Sequence, residues 1–85
     1  MTVYHFNIID GVTLPDPDGV DLPNLEEARV QAVRLAGDLL RYSTNHFLRD
    51  GEWRLEVTDN TGLVLFVLYL TAIDAPAGQR GSNGH

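Results

Sequence analysis

Hydrophobic and polar positions alternate along two stretches of the chain, and each alternation predicts a β-strand with one buried face. In the first stretch, 3–9, aromatic or aliphatic residues at positions 4, 6 and 8 face one way, and polar residues at 5 and 7 face the other. The second stretch, EWRLEVTD at 52–59, repeats the pattern. The segment LVLFVLYL at 63–70 is apolar throughout, which is typical of a strand covered on both faces. The turn sequence DNTG between the last two stretches predicts a hairpin.

The segment between the first two strands has the period of an amphipathic helix. Asn24 is the predicted N-cap, and Glu27 stands three residues later, in the capping-box position. The pattern fades after position 42 and an Asp-Gly pair follows, so we expect the helix to end between His46 and Leu48. At 100° per residue, one stripe gathers Ala28, Ala32, Leu35, Ala36, Leu39 and Leu40. This stripe is predicted to lie on the core, with the opposite face in water.

Prolines, glycines and aspartates fill the segment before the helix, where residues 14–24 read LPDPDGVDLPN. No long element is expected between residues 11 and 23, although a short extended piece is allowed at Val20–Leu22. Aspartate and glycine favour turns, and proline presets the turn geometry. The segment is therefore predicted to be mainly a solvated entrance to the helix.

The same segment has a second interpretation as a cation-binding loop. Asp16, Asp18 and Asp21 could form an irregular site of oxygen ligands. The EF-hand register does not fit, because placing Gly19 at the sixth position puts leucines at the first and twelfth. Cation binding is therefore the alternative to the helix entrance.

The element order β-α-β-β predicts an α+β fold. A right-handed crossover would make the first two strands parallel, and the third strand would insert between them. This gives a three-stranded sheet of order 1-3-2, with one amphipathic helix packed on one face and strand 63–70 at the centre. We predict a single domain at 1–70. Residues 71–85, rich in glycine, proline and serine, are expected to form a flexible C-terminal tail.

One helix covers only one face of the sheet, so the second apolar face of the last strand needs another cover. Exposed apolar patches above a few hundred Å² commonly mark interfaces. We predict that the protein is a homodimer, or binds a protein partner, through an open face carrying Val64, Phe66 and Leu68. In the competing interpretation, the tail or the segment 11–23 folds over this face.

Composition and charge narrow the possible functions. A chain of 85 residues is one small domain, which buries roughly 60% of the surface that its unfolded form exposes. It has no cysteine, which excludes disulfides and thiolate metal sites, and its net charge of −6 disfavours nucleic acid. No secretory signal or bilayer-length apolar run is present in the sequence, so we expect a cytoplasmic protein without membrane association.

The candidate catalytic groups lack the spacing that their chemistry requires. His5 and His46 have no zinc-ligand spacing, and His85 ends the predicted tail. The sequence contains no Gly-x-Ser-x-Gly and no glycine-rich phosphate loop between a strand and a helix. We therefore predict no catalytic residue, no metal site and no cofactor, and we expect that the protein is not an enzyme.

Three segments together resemble a family of short bacterial proteins that carry a domain of unknown function. They are YHFNIIDG near the start, DPDGVDLPN before the helix and WRLEVTDNTGLVL near the end. Members are similar in showing an aromatic first strand, an acidic loop that ends in Leu-Pro-Asp or Leu-Pro-Asn, and a Trp-x-x-Glu-Val-x-Asp hairpin. The resemblance covers Val3 to Leu70, and it implies no assigned activity, cofactor or catalytic residue.

Two functions are consistent with these observations. The first is a small cytoplasmic protein–protein interaction module that self-associates through the open sheet face. The alternative is a small-molecule or cation-binding regulator that uses the acidic loop 10–21. Calcium titration distinguishes them, because a cation site would shift the NMR signals of Asp16, Asp18 and Asp21.

Overall fold

The computed structural model describes residues 2–10 and 13–77. In this part of the chain the elements are β1 (Thr2–Ile9), β2 (Thr13–Leu14), β3 (Val20–Leu22), α1 (Leu25–Tyr42), α2 (Thr44–Asp50), β4 (Glu52–Thr58) and β5 (Val64–Thr71). The α+β class is therefore confirmed. The described residues form five strands and two helices, whereas three strands and one helix were predicted.

The sheet is antiparallel throughout, and β4 lies at its centre. One side of β4 pairs with β1, and the other side pairs with β5. The far edge of β1 pairs with β2 near one end and with β3 near the other. The order is therefore β2-β1-β4-β5, with β3 beside β1.

The predicted strand order 1-3-2 is wrong. The second predicted strand, β4, is central, and the wholly apolar third strand, β5, lies at the edge. The prediction assumed that β1 and β4 run parallel, which leaves a gap for β5. Because they are antiparallel, they can pair directly, and the hairpin leaves β5 on the outer side.

The helix begins where the sequence predicts. The side chain of Asn24 accepts a hydrogen bond from the backbone N–H of Glu27 at 2.9 Å, which satisfies one of the free donors of the first turn. Ala28, Ala32 and Ala36 are buried, and the leucines of the stripe pack partly buried against the core. The predicted apolar face is therefore confirmed.

The predicted helix end is wrong, because the segment forms two helices. α1 ends at Tyr42, and the backbone at Ser43 leaves the helical conformation before α2 begins. The hydroxyl of Thr44 donates to the carbonyl oxygen of Leu40 at 2.6 Å, so a side chain satisfies one of the last carbonyls of α1. Gly51 ends α2 by donating its N–H to Phe47.

The core lies between one face of the sheet and the two helices. Its fully or nearly buried members are Tyr4, Phe6, Ala28, Ala32, Ala36, Trp53, Leu55 and Val57. The strand members of this set occupy every second position, as the alternation predicts. The opposite face of the sheet is the outer face, with His5 and Asn7 on β1 and Arg54 and Glu56 on β4.

The turn between β4 and β5 is held by Asp59. Its carboxylate accepts hydrogen bonds from the backbone N–H and hydroxyl of Thr61 and from the N–H of Leu63. The hydroxyl of Thr61 and these backbone donors stabilise the charged form, so the pKa of Asp59 lies below its ordinary value. The predicted hairpin is confirmed, with its turn fixed by a local side chain.

The last strand extends one residue past Leu70, and the predicted boundary between a domain at 1–70 and a tail at 71–85 stays a prediction. Thr71 belongs to β5, and the N–H of Ala72 donates to the carbonyl of Gly51 at 2.7 Å. Positions 78–85 of the predicted tail lie outside the described residues. Within 2–10 and 13–77, neither helix has the length and apolarity that a bilayer crossing demands.

Candidate functional site

Among residues 2–10 and 13–77, the outer edge of β5 is the main apolar surface that the sheet leaves uncovered. The chain has no charged residue and no proline from Asn60 to Ile73, a stretch that includes all of β5. Val64, Val67 and Tyr69 on this strand are 45%, 43% and 54% exposed. An uncharged edge strand is a ready template for another strand, because its outward backbone groups have no partner within the sheet.

The register shows which backbone groups of β5 point outward. The N–H of Ala72 donates to the carbonyl of Gly51 across the β4–β5 ladder. In an antiparallel pair, hydrogen-bonded positions alternate, so Leu70, Leu68 and Phe66 also direct their N–H and C=O groups toward β4. The groups of Val67, Tyr69 and Thr71 therefore point away from the sheet. We call these three residues, with their outward backbone groups, the β5 edge.

The structure separates the three residues that were predicted to form one open face. Phe66 is opposite Val57 and Leu68 is opposite Leu55, and directly opposite residues share a face. Phe66 and Leu68 therefore face the core and pack against it, partly buried.

Val64 lies on the other face, opposite Thr58. Between Val64 and Phe66 the register shifts by one residue, which makes Leu65 the extra residue of a β-bulge. The prediction of a single open face with Val64, Phe66 and Leu68 is therefore wrong for the last two. The residues of β5 that accompany Val64 on the outer face are Val67, Tyr69 and Thr71.

Polar groups on β4 border the apolar outer side of β5. Arg54 and Glu56 form a salt bridge at 2.9 Å in the middle of the outer face. A hydrogen bond to Glu52 raises the pKa of Tyr69. The phenol donates to the negative carboxylate, and loss of the phenol proton would break this bond and place two negative charges side by side. The outer face is therefore polar at β4 and apolar at β5, which restricts the apolar surface to the sheet edge.

Asp16 lies in the predicted cation loop, but its carboxylate is used inside the chain. One carboxylate oxygen accepts from the N–H of Phe6 at 3.2 Å, and the other accepts from the N–H of Gly19 at 3.2 Å. The N–H of Asp16 donates to the side chain of Asn7 at 2.9 Å. Asp16 thus occupies the edge of β1 in the gap between β2 and β3, where a strand residue would otherwise pair.

The other two residues of the predicted cation site lie apart from these contacts. Asp21 is in β3, opposite Val3, and Asp18 is exposed in a bend. No group of three or more histidine, aspartate or glutamate side chains is arranged so that it could hold a metal ion in the described ranges 2–10 and 13–77. Cation binding at Asp16, Asp18 and Asp21 stays a prediction.

His5 joins three segments at one end of the sheet. One ring nitrogen lies 2.7 Å from the carbonyl oxygen of Asp16, and the other lies 3.0 Å from the side-chain oxygen of Asn60. The side-chain bond to Asn60 and the bond to Asp16 raise the pKa of His5, since both oxygens accept from a protonated ring.

His46 lies at the opposite end of the sheet beside a small cavity. Its Nε2 is 3.0 Å from a carboxylate oxygen of Asp10 and 3.2 Å from one of Asp50. The adjacent cavity of about 80 Å³ is lined by these residues: Ile8, Asp10, Leu14, Leu39, Ser43, His46, Phe47 and Trp53. Ligand pockets usually measure about 300–1,000 Å³. This cavity is therefore too small for most substrates.

Two functional features escaped the sequence interpretation. The β5 edge depends on strand order, which alternation alone does not determine. The contacts of Asp16 depend on β1 lying alongside it, although a Pro-Asp-Pro sequence at 15–17 is a local sign of an interrupted edge strand. Both features become visible only when the pairing of β1 is known.

Residues 3–71 match the sequence model of a protein family described as Domain of unknown function (DUF6894). The match agrees with the resemblance seen in the sequence, whereas a bacterial origin stays a prediction. No curated protein and no solved structure matches the chain.

Proposed function

Because the chain belongs to the DUF6894 family, whose function is undefined, we propose its function from the surface that the sheet leaves open. The protein is a small cytoplasmic protein–protein interaction module, and not an enzyme. It self-associates by adding a strand to the β5 edge. This proposal keeps the predicted self-association and moves its surface from an open face to an open edge.

The observation that supports the proposal is the uncharged edge strand. β5 is eight residues long, and it has neither the charged side chains nor the proline that normally protect a sheet edge. All of its residues are β-branched, aromatic or leucine, which suits a pleated surface. A strand of this kind is stabilised when a further strand pairs with it.

The energetics favour a modest affinity. Each residue of the β5 edge offers one N–H and one C=O, and a protein hydrogen bond contributes about 0.5–1.5 kcal/mol net. Burial of the exposed side chains of Val67 and Tyr69 adds roughly 25 cal/mol per Å². The cost of association offsets much of this gain, so we expect a dissociation constant on the order of micromolar.

The proposal is tested by placing a charge on the edge. Val67→Lys puts an ammonium group beside the outward backbone, so a partner strand must desolvate it. We expect the wild-type chain to be larger than a monomer in light scattering at tens of micromolar and Val67→Lys to be monomeric. Thr13→Lys, on β2 at the opposite edge, is the matched control and should associate like the wild type.

Amide hydrogen exchange gives an independent measurement. In the associated protein, the outward N–H groups of Val67, Tyr69 and Thr71 should be protected from exchange to the same extent as the inward N–H groups of Leu68 and Leu70. Dilution or Val67→Lys should release the outward set alone. A wild-type chain that remains monomeric and exchanges the outward amides freely at every concentration would overturn the proposed function.

A further inference from the structure

We propose that β5 pairs antiparallel with β5 of a second copy, with Leu68 opposite the partner's Leu68. This inference rests on the proposed function and specifies its geometry. The twofold axis is perpendicular to the sheet, so the two sheets become one continuous sheet and both α1 helices lie on the same side of it.

The backbone restricts the possible registers. Only outward groups can bond across the new ladder, so Val67, Tyr69 and Thr71 must pair among themselves or with the bulge at Leu65. With Val67 opposite the partner's Tyr69, the paired stretch runs from Leu65 to Thr71, which is the whole strand beyond the bulge. In the alternative register, with Tyr69 opposite the partner's Tyr69, the paired stretch is shortened to 67–71. The first register therefore forms the longest ladder.

This register also matches the side chains on both faces. On the core side, Phe66 meets the partner's Leu70, and Leu68 meets its own copy. On the outer side, Val67 meets the partner's Tyr69. Every one of these pairs is apolar, and aromatic residues beside aliphatic or β-branched ones are favourable cross-strand neighbours.

Charge favours a copy of this chain at this edge over any other part of its surface. Two chains of net charge −6 repel each other, and the repulsion is strongest where carboxylates face each other. Between Asn60 and Ile73 no charged side chain is present. On the neighbouring strand, Arg54 and Glu56 neutralise each other in a salt bridge.

The flank of α1 supplies further apolar surface to the same contact. The guanidinium of Arg29 lies over the ring of Phe66, 5.5 Å from its centroid, which identifies the flank of α1 nearest β5. Val33 follows Arg29 by one helical turn on the same flank and is 57% exposed. A second copy at the β5 edge brings its α1 toward this flank, so the contact covers Val33 together with the strand.

Single cysteine substitutions can test the register by disulfide crosslinking, because the natural chain has no cysteine. In the proposed dimer the Cα atoms of the two Leu68 residues are about 4.5–5.5 Å apart, which is within disulfide range. Leu68→Cys should therefore form a covalent dimer under mild oxidation. Val67→Cys alone should form no such dimer. In this register the two Val67 positions are diagonal neighbours, offset by two residues along the strands and about 7–8 Å apart.

A mixture of two variants gives a second measurement that leaves Leu68 intact. Val67→Cys mixed with Tyr69→Cys should give a crosslinked heterodimer, identified by mass spectrometry, in at least tenfold excess over either homodimer. Thr13→Cys, at the opposite edge, controls for random collision and should crosslink no faster in the native chain than in urea.

The outcomes separate this inference from the proposed function. Crosslinking of Leu68→Cys and of the 67–69 mixture supports the register. Association with protected outward amides, but with crosslinks at other positions or none, overturns the register and leaves the interaction module standing. A chain that never associates overturns both.

Discussion

The two edges of this sheet are built in opposite ways. At the β1 edge, β2 and β3 are short, and the prolines at 15 and 17 stand between them. At the other edge, β5 is long, uncharged and free of proline. Natural sheets protect their edges with short strands, charges and prolines, so the β1 edge is closed and the β5 edge is open.

Asp16 is the centre of the closed edge. Its carboxylate accepts the N–H of Phe6, which points toward that edge and would otherwise be free to pair with another chain. Its second oxygen holds Gly19 and so fixes the turn into β3. A side chain therefore satisfies a strand donor without offering a new strand, which a residue such as valine at this position could not do.

The largest expected effect is at Gly19, within the closed edge. Its φ is +74°, and a Cβ added there would lie 2.6 Å from a methyl group of Val3 and 3.0 Å from the carbonyl of Tyr4. Gly19→Ala should lower the free energy of unfolding by roughly 2–4 kcal/mol, from backbone strain and overpacking together. Urea denaturation measures this change.

Gly62 in the β4–β5 turn provides the control for Gly19. Its φ is +88°, but an added Cβ there meets no atom within 4 Å among the described residues. Gly62→Ala should cost only the backbone strain, about 1–2 kcal/mol. Equal losses in the two variants would show that the 13–22 segment does not lie tightly against β1.

The next effect is at Asp16. Asp16→Ala removes the acceptor for two N–H groups, and we expect a loss of about 1–3 kcal/mol in the free energy of unfolding. The nearby Asp18→Ala should change it by less than about 0.5 kcal/mol, because this side chain is exposed. If the two variants lose the same stability, Asp16 does not close the edge.

At the open edge, a substitution should change association and leave the stability of the isolated chain almost unchanged. Val67→Lys, which abolishes association in our proposal, should change the unfolding free energy of the isolated chain by less than about 0.5 kcal/mol, since Val67 is 43% exposed. Denaturation at a concentration well below the expected micromolar dissociation constant measures the isolated chain. A loss as large as that of Asp16→Ala would mean that Val67 supports the fold itself.

The smallest effect is a pH dependence at His5, which links the closed edge to the β4–β5 turn. Its pKa is raised in the folded chain by the bonds to Asn60 and Asp16. The stabilisation is therefore complete below the unfolded pKa, about 6.5, and is lost as the pH rises through the folded pKa. Compared with His5→Gln, the wild type should lose its advantage in urea midpoint on going from pH 6 to pH 8. A difference that is constant across this range would contradict the prediction.

Local features of the fold could be predicted from the sequence because their signals are local. The alternation at 52–59, the N-cap at Asn24 and the hairpin turn at Asp59 each depend on contacts within a few residues. The end of α1 was missed, because Ser43 and Thr44 interrupt a helix that the composition alone allows to continue.

Features that join distant segments could not be predicted in this way. Whether β1 pairs with β4 or with β5 changes the strand order and the exposure of the edge, but it changes no local pattern. Phe66 and Leu68 were placed on the outer face because the wholly apolar strand hides which of its faces meets the core. The register with Leu55 and Val57 resolves this, and it exists only in three dimensions.

The contacts of Asp16 with Phe6 and Gly19 also determine how far an assembly can grow. In the terms of polymer chemistry, a chain with two open edges is a bifunctional monomer and extends into a fibre. A chain whose other edge is blocked by a carboxylate has a functionality of one. Its reaction ends with the first pairing, so an apolar edge can be kept for association without the risk of unlimited growth.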